Sequence, residues 1–187
     1  MTKGTVGSNS PKRTDVHIGF PIFGRVLVAY DAKEMSKRAL SYAAYFSNTS
    51  DSEIVLINVI KINRGLNKLL PLTIRTNLDG EEEDDKVNTV SSHRLLNEFL
   101  QKLVEEMRTA CKAAGVTKKT TYEIRMGNPA DEIINICSFM NFDLIIMGSR
   151  RIASRIEAIG STTRKVLTKV KIPILVVQKP PTYKDEY

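Results

Sequence analysis

Short apolar runs punctuate this chain, and between them apolar residues recur at helical spacing. GRVLVAYDA (24–32) is a β-branched run ending at an acid, which predicts a buried strand over 25–30. EMSKRALSYAAYF (34–46) places Met35, Ala39, Ala43 and Phe46 on one face of a helix. SEIVLINVI (52–60) predicts a second strand. The first two strands are continuously apolar rather than alternating, as expected where a parallel sheet is covered on both faces.

The middle of the chain breaks this rhythm. Residues 61–87 open with KINRGLNKLLPLTIRTNLDG, where Pro71 and Gly80 interrupt Leu69, Leu70, Leu72 and Ile74, and end in EEEDDK. The acidic run 81–85 suits a solvated loop or the start of a helix, since acids favour a helix N-terminus. Glu81, Glu82, Glu83, Asp84 and Asp85 make a poor metal site, because consecutive helical residues point in different directions. From 88 to 114 the pattern is amphipathic: Leu96, Phe99, Leu100, Leu103, Met107, Ala110 and Cys111 recur every three or four residues, and Gly115 stops the run.

TTYEIRM (120–126) alternates, which suits a strand more exposed than the others. GNPADEIINICSFM (127–140) offers Gly127 as a turn, Asn128 as an N-cap and Pro129 as the first helical residue. DLIIMG (143–148), STTRKVLTKV (161–170) and PILVVQ (173–178) predict a strand, a helix and a fifth strand. Buried strands alternating with helices give an α/β fold: a Rossmann-like open parallel five-stranded sheet with helices on both faces. Ligands of such sheets sit at the carboxyl ends of strands, where strand order reverses. Asp31, Val59, Gly127 and Met147-Gly148 end their strands and are expected to share one edge.

Composition narrows the picture without deciding it. The 187 residues suit one domain, 21–180, with tails at 1–20 and 181–187 and an insertion or lid at 61–90. With 42% hydrophobic and 26% charged residues the chain reads as globular, and no apolar run is long enough to span a membrane. The N-terminus lacks an apolar signal core, so a cytoplasmic location is expected. Net charge is +7, which admits anionic partners, but aromatics are only 6% and tryptophan is absent, so nucleic acid is a weak candidate. Cys111 and Cys137 are expected as reduced, partly buried thiols, and His17 and His93 match no zinc spacing.

Candidate chemistry gathers in GSRRIASRIEAIGST (148–162), a loop between a strand and a helix. A glycine-hydroxyl pair opening a helix is suited to an anion. Here the residues resemble a known family. VLVAYDAKEMSKRAL, GNPADEIINIC, and DLIIMGSR followed by GSTTRKVLTKVKIPILVV are similar to the universal stress proteins over residues 24–178. The resemblance implies a five-stranded α/β domain, usually dimeric, with some members binding ATP or AMP and others binding no nucleotide. It implies Asp31 and Val59 at adenine, Met147 and Gly148 beside the ribose, and Gly160, Ser161 and Thr162 at the phosphates. A homodimer is therefore expected, and the C-terminal edge strand, 173–177, whose exposed backbone invites pairing, is its expected surface.

The loop departs from the nucleotide-binding pattern G-x2-G-x9-G-[ST]. Arg151 stands at the second glycine, and eight residues rather than nine separate it from Gly160. Three readings follow. Arg150, Arg151 or Arg155 replaces backbone contacts to phosphate through its fork of donors. Alternatively the loop is degenerate, and the protein is a dimeric interaction module that binds no nucleotide. In the third reading the basic stretch meets a polyanion. Each residue also has an ordinary role: Asp31 can cap the following helix, and Ser161, Thr162 and Thr163 are common first-turn residues. No nucleophile–base pair, G-x-S-x-G or Walker loop is evident, so binding without efficient turnover is expected, and no metal.

Overall fold

The structure, a computed structural model, describes residues 23–61, 89–149 and 159–179, with side chains from 94 onward in the second stretch. The expected tails, Arg150, Arg151 and nearly all of the 61–90 segment with its acidic run lie outside the described residues. The elements are β1 (Arg25–Ala29), α1 (Glu34–Ser50), β2 (Glu53–Ile60), α2 (Thr89–Ala113), β3 (Thr120–Met126), α3 (Pro129–Phe139), β4 (Leu144–Gly148), α4 (Ser161–Lys169) and β5 (Ile174–Val177). The strands form one sheet in the order β3-β2-β1-β4-β5, and every pairing is parallel. The α/β architecture expected from the sequence is therefore the observed one.

The three central strands bury both their faces. Val26, Val28, Ile54, Leu56, Leu144 and Ile146 point to one side, where they meet Ala39, Leu40 and Ala43 of α1 and Met107 and Cys111 of α2. Leu27, Val55, Ile57, Ile145 and Met147 point to the other, against Ala130, Ile133 and Ile136 of α3 and Val166 of α4. Full burial of each such aliphatic side chain favours the fold by about 1.5–3 kcal/mol, which explains why these runs are apolar without alternation. β3 has no fully buried residue, in keeping with its alternating sequence and edge position.

Two local corrections follow, and the cysteines are as expected. α1 continues to Ser50 rather than ending at Phe46. Along α2, Met107 and Cys111 are buried, but Phe99 is 48% exposed, so the described residues cover only the second half of the expected apolar stripe. Cys111 and Cys137 pack on opposite faces of the sheet, too far apart for a disulfide. Burial pushes both thiols up, Cys137 to about 11, so both are protonated at neutral pH.

The helix ends follow their sequence signals. Gly115 adopts φ 78° after α2, its N–H bonding Lys112 O (3.0 Å) while the Val116 N–H bonds Cys111 O (3.0 Å). That pair is a Schellman closure, which requires the left-handed conformation glycine adopts freely. Asn128 caps α3, accepting from the Ala130 N–H (3.0 Å) with Pro129 in the first turn.

Away from the carboxyl ends, Glu53 ties three strands together. It accepts from Arg25 Nη2 (3.0 Å) on β1 and from Thr121 Oγ1 (3.1 Å) on β3, and pairs with Lys119 Nζ (3.2 Å). Burial pushes its pKa up, but the hydrogen bonds from Lys119, Arg25 and Thr121 outweigh that and hold it below the ordinary 4.5. A carboxylate lowered by folding contributes stability that is complete above its ordinary pKa and lost as pH falls through the folded value. Glu53→Gln is therefore expected to cost about 1–2 kcal/mol at pH 7. In paired thermal melts the deficit should shrink below the ordinary glutamate pKa; a deficit unchanged down to pH 2 would refute the ion-pair account.

Candidate functional site

β1 lies between β2 and β4, and the sheet extends from it on both sides. After β1 the chain enters α1 on one face of the sheet, and after β4 it enters α4 on the other. The connections diverge above the carboxyl ends of the strands and leave a crevice at the switch point. The crevice is a cavity of about 770 Å³. Asp31, Val59, Met147, Gly148, Gly160, Ser161 and Thr162, all singled out in the sequence, line it together. Gly127, expected at the same edge, lines an adjoining cavity instead. Lys33, Asn58, Lys61 and the buried Thr163 also line the crevice, although nothing in their local sequence marked them.

The floor is set by a close approach. A Cβ on Gly148 would stand 2.5 Å from the Met35 carbonyl carbon and 2.6 Å from its oxygen. Only glycine lets the end of β4 pack directly on the first turn of α1.

Asp31 does not cap α1. The helix begins at Glu34, and its N-cap is Lys33, whose side chain makes no capping bond. Asp31 Oδ1 instead accepts from the Lys33 N–H (3.1 Å), and Oδ2 pairs with Lys33 Nζ (3.2 Å). The tight turn puts Ala32 at φ 60°. Burial raises the Asp31 pKa, but the nearby Ser36 hydroxyl, the Lys33 N–H and the Lys33 ammonium outweigh it and bring it below 3.8. The Ser36 hydroxyl's own geometric hydrogen bond goes to Lys33 O (2.9 Å), so the bonds from Lys33 are the firmer part of that explanation. Beside Asp31, Asn58 Nδ2 donates to Tyr30 O (3.0 Å), which fixes the end of β2 near Val59 against the exit of β1.

The opposite wall is the start of α4. Ser149 is 2% exposed; its N–H bonds Val177 O (2.8 Å) and its Oγ accepts the Gly160 N–H (2.9 Å). Ser149 thus pins both ends of the glycine loop, so one of the expected phosphate donors, the Gly160 N–H, is already engaged. The following helix is left open. Gly160 supplies no side-chain cap, and the first turn holds no acid, whereas α3 has Asn128, Asp131 and Glu132. The leading N–H groups of α4 therefore keep their partial positive charge toward the cavity. Thr163 is 2% exposed and lines the cavity. Arg150 and Arg151 lie outside the described residues. Among the described residues no cluster of metal-ligating side chains occurs, and no helix is long and apolar enough to cross a membrane.

The sequence profile of the universal stress protein family matches residues 23–178. The chain belongs to the universal stress protein family. The universal stress protein YxiE of Bacillus subtilis is 28% identical over 161 residues, 84% of this chain and all of the relative. The solved structure of MJ0577 from Methanocaldococcus jannaschii superposes with a TM-score of 0.60 at 23% identity, covering 87% of this chain and 100% of its own. A universal stress protein solved in complex with cAMP gives a TM-score of 0.55 at 19% identity, over 84% of this chain and 98% of its own. At those identities the solved structures establish the shared universal stress protein fold.

Gly148→Ala should destabilise this universal stress protein by about 2–3 kcal/mol, because the clash is with helix backbone that cannot step aside. Gly160→Ala should be nearly neutral for stability, since its Cβ would meet nothing closer than Ser149 Oγ at 3.7 Å. Denaturant melts of both variants check this; equal stabilities would refute the close-packing account.

Proposed function

We propose that the crevice binds an adenine nucleotide, ATP or AMP, and that occupancy of the site is how this universal stress protein acts in a stress response or in regulation. The observation that carries the reading is the pairing of two unlike walls across one switch-point cavity. On one side stand Asp31, Val59, Met147 and Gly148; on the other is a helix N-terminus without a side-chain cap, with Ser161, Thr162 and the buried Thr163. In this reading Asp31 and the Val59 backbone meet adenine, Met147 and Gly148 flank the ribose, and the start of α4 takes phosphate. Arg150 and Arg151 supply guanidinium contacts that the second glycine of the family pattern would have left to backbone. The cAMP complex of a relative with this fold supports an adenine ligand.

Binding without efficient turnover fits the chemistry. Asp31 is held below the usual carboxylate range, which makes it a weak base for activating water. We place the protein in the cytoplasm, where two protonated thiols, the buried Cys111 and the half-buried Cys137, need no oxidising partner.

One observation favours the second reading, an interaction module without nucleotide: the Gly160 N–H is already satisfied by Ser149. Thermal shift separates the two. A ligand that binds only the folded state adds about 2.7 kcal/mol at a hundred times its Kd. For a chain of this size that raises Tm by about 5–10 °C. ATP or AMP should produce such a shift, and Asp31→Ala should reduce it. No shift with either at about a millimolar would establish the second reading.

For both readings we propose a homodimer through β5, which among the described residues pairs only with β4 and is an edge of the sheet. Light scattering should then give twice the 21.0 kDa of the chain. A monomeric mass would refute it.

A further inference from the structure

Lys33 and Asp31 stand together on the crevice wall and are joined through both carboxylate oxygens. The Lys33 N–H donates to Asp31 Oδ1 (3.1 Å), and Lys33 Nζ pairs with Oδ2 (3.2 Å). The two contacts do different things. The first is made by the main chain in the left-handed turn at Ala32, and it aims the carboxylate whatever side chain residue 33 carries. The second depends on the ammonium. It covers one acceptor of Asp31 and places a donor at the same spot. The start of α1 is built from the main chain of residue 33 and not from its side chain. Its carbonyl accepts from the Lys37 N–H (3.0 Å) and the Ser36 hydroxyl (2.9 Å), and its side chain makes no capping bond.

We infer that Lys33 sets which purine the crevice prefers, by covering the acceptor that the amino group of adenine needs and offering a donor to a carbonyl at the same ring position. This rests on the nucleotide reading above, with the base between Asp31 and the Val59 backbone. With its ring nitrogen at Val59, adenine turns its amino group to Asp31 and must share Oδ2 with the ammonium. Hypoxanthine in the same pose turns a carbonyl oxygen there. The Asp31 carboxylate alone would repel that oxygen, whereas the Lys33 ammonium donates to it in a charge-assisted bond. Specificity is the difference between two affinities, so one lysine that weakens adenine and admits hypoxanthine narrows it from both ends. The effect is modest in size. The side chains of Lys33 and Asp31 are 59% and 53% exposed, and an exposed ion pair contributes about fivefold in affinity at most.

The test is titration calorimetry of the full chain with AMP and with IMP, on the wild type, Lys33→Met and Lys33→Arg. The two ligands share ribose and phosphate, so any change in attraction for phosphate cancels in the ratio of their affinities. Lys33→Met keeps the apolar stem and the main-chain bonds that start α1. It should bind AMP about two- to fivefold more tightly than the wild type and IMP more weakly, so the preference for AMP rises. Lys33→Arg should keep the wild-type ratio. In the wild type itself the AMP-to-IMP ratio should rise with added salt, which screens an exposed ion pair. A ratio unchanged or lowered in Lys33→Met would overturn the role of Lys33 and leave the nucleotide reading intact. Failure of the wild type and of Lys33→Met to bind either nucleotide would overturn both.

Discussion

β1 sits at the middle of the sheet with β2 on one side and β4 on the other, all three running in the same direction. Parallel neighbours require crossover connections, and those crossovers are right-handed. Winding outward in both directions from β1 therefore puts α1 and α2 on one face and α3 and α4 on the other. It also makes the loops after β1 and β4 part company. The crevice is the geometric consequence, and no residue in it needs to create the space. The residues decide only what the space can hold.

Two close contacts turn that space into a shaped site. Gly148 brings the end of β4 onto the Met35 backbone, which draws the floor against the first turn of α1. One residue later, Ser149 reaches both β5 and Gly160, so the start of α4 is anchored to the sheet whatever the loop sequence between them. A helix begun by glycine, without a side-chain cap or a first-turn acid, then presents its positive end to the cavity. Asp31 balances it across the crevice, kept charged by Lys33. The site is polarised, with an acceptor at one end and donors at the other, as a base and its phosphate would need.

Much of this was legible in the sequence because both faces of the central strands are covered. RVLVA, EIVLINVI and LIIMG read as strands without alternation, and the order of strands and helices then implied the sheet. Asn128-Pro129 and Gly115 marked helix ends through chemistry that acts within a few residues. Other features depend on partners far along the chain. An ordinary role open to Asp31 was to cap the helix, but the left-handed turn at Ala32 moves the cap to Lys33, and no pattern announces that turn. Ser149 carries no signal of its role until α4 and β5 are in place. Lys61 is an ordinary lysine after a strand, and only its place on the crevice wall singles it out. Phe99 matched the helical stripe, yet the described residues leave about half of it exposed.

The central claim is that the switch-point crevice receives an adenine nucleotide with its base toward Asp31 and its phosphate toward α4. Amide chemical-shift mapping during titration with AMP tests it residue by residue. The account expects the largest shifts at Asp31, Val59, Gly148, Ser161 and Thr162, with the N-terminal edge around Glu53 unmoved. Shifts absent from those amides at saturating AMP, or gathered on another surface, would contradict it.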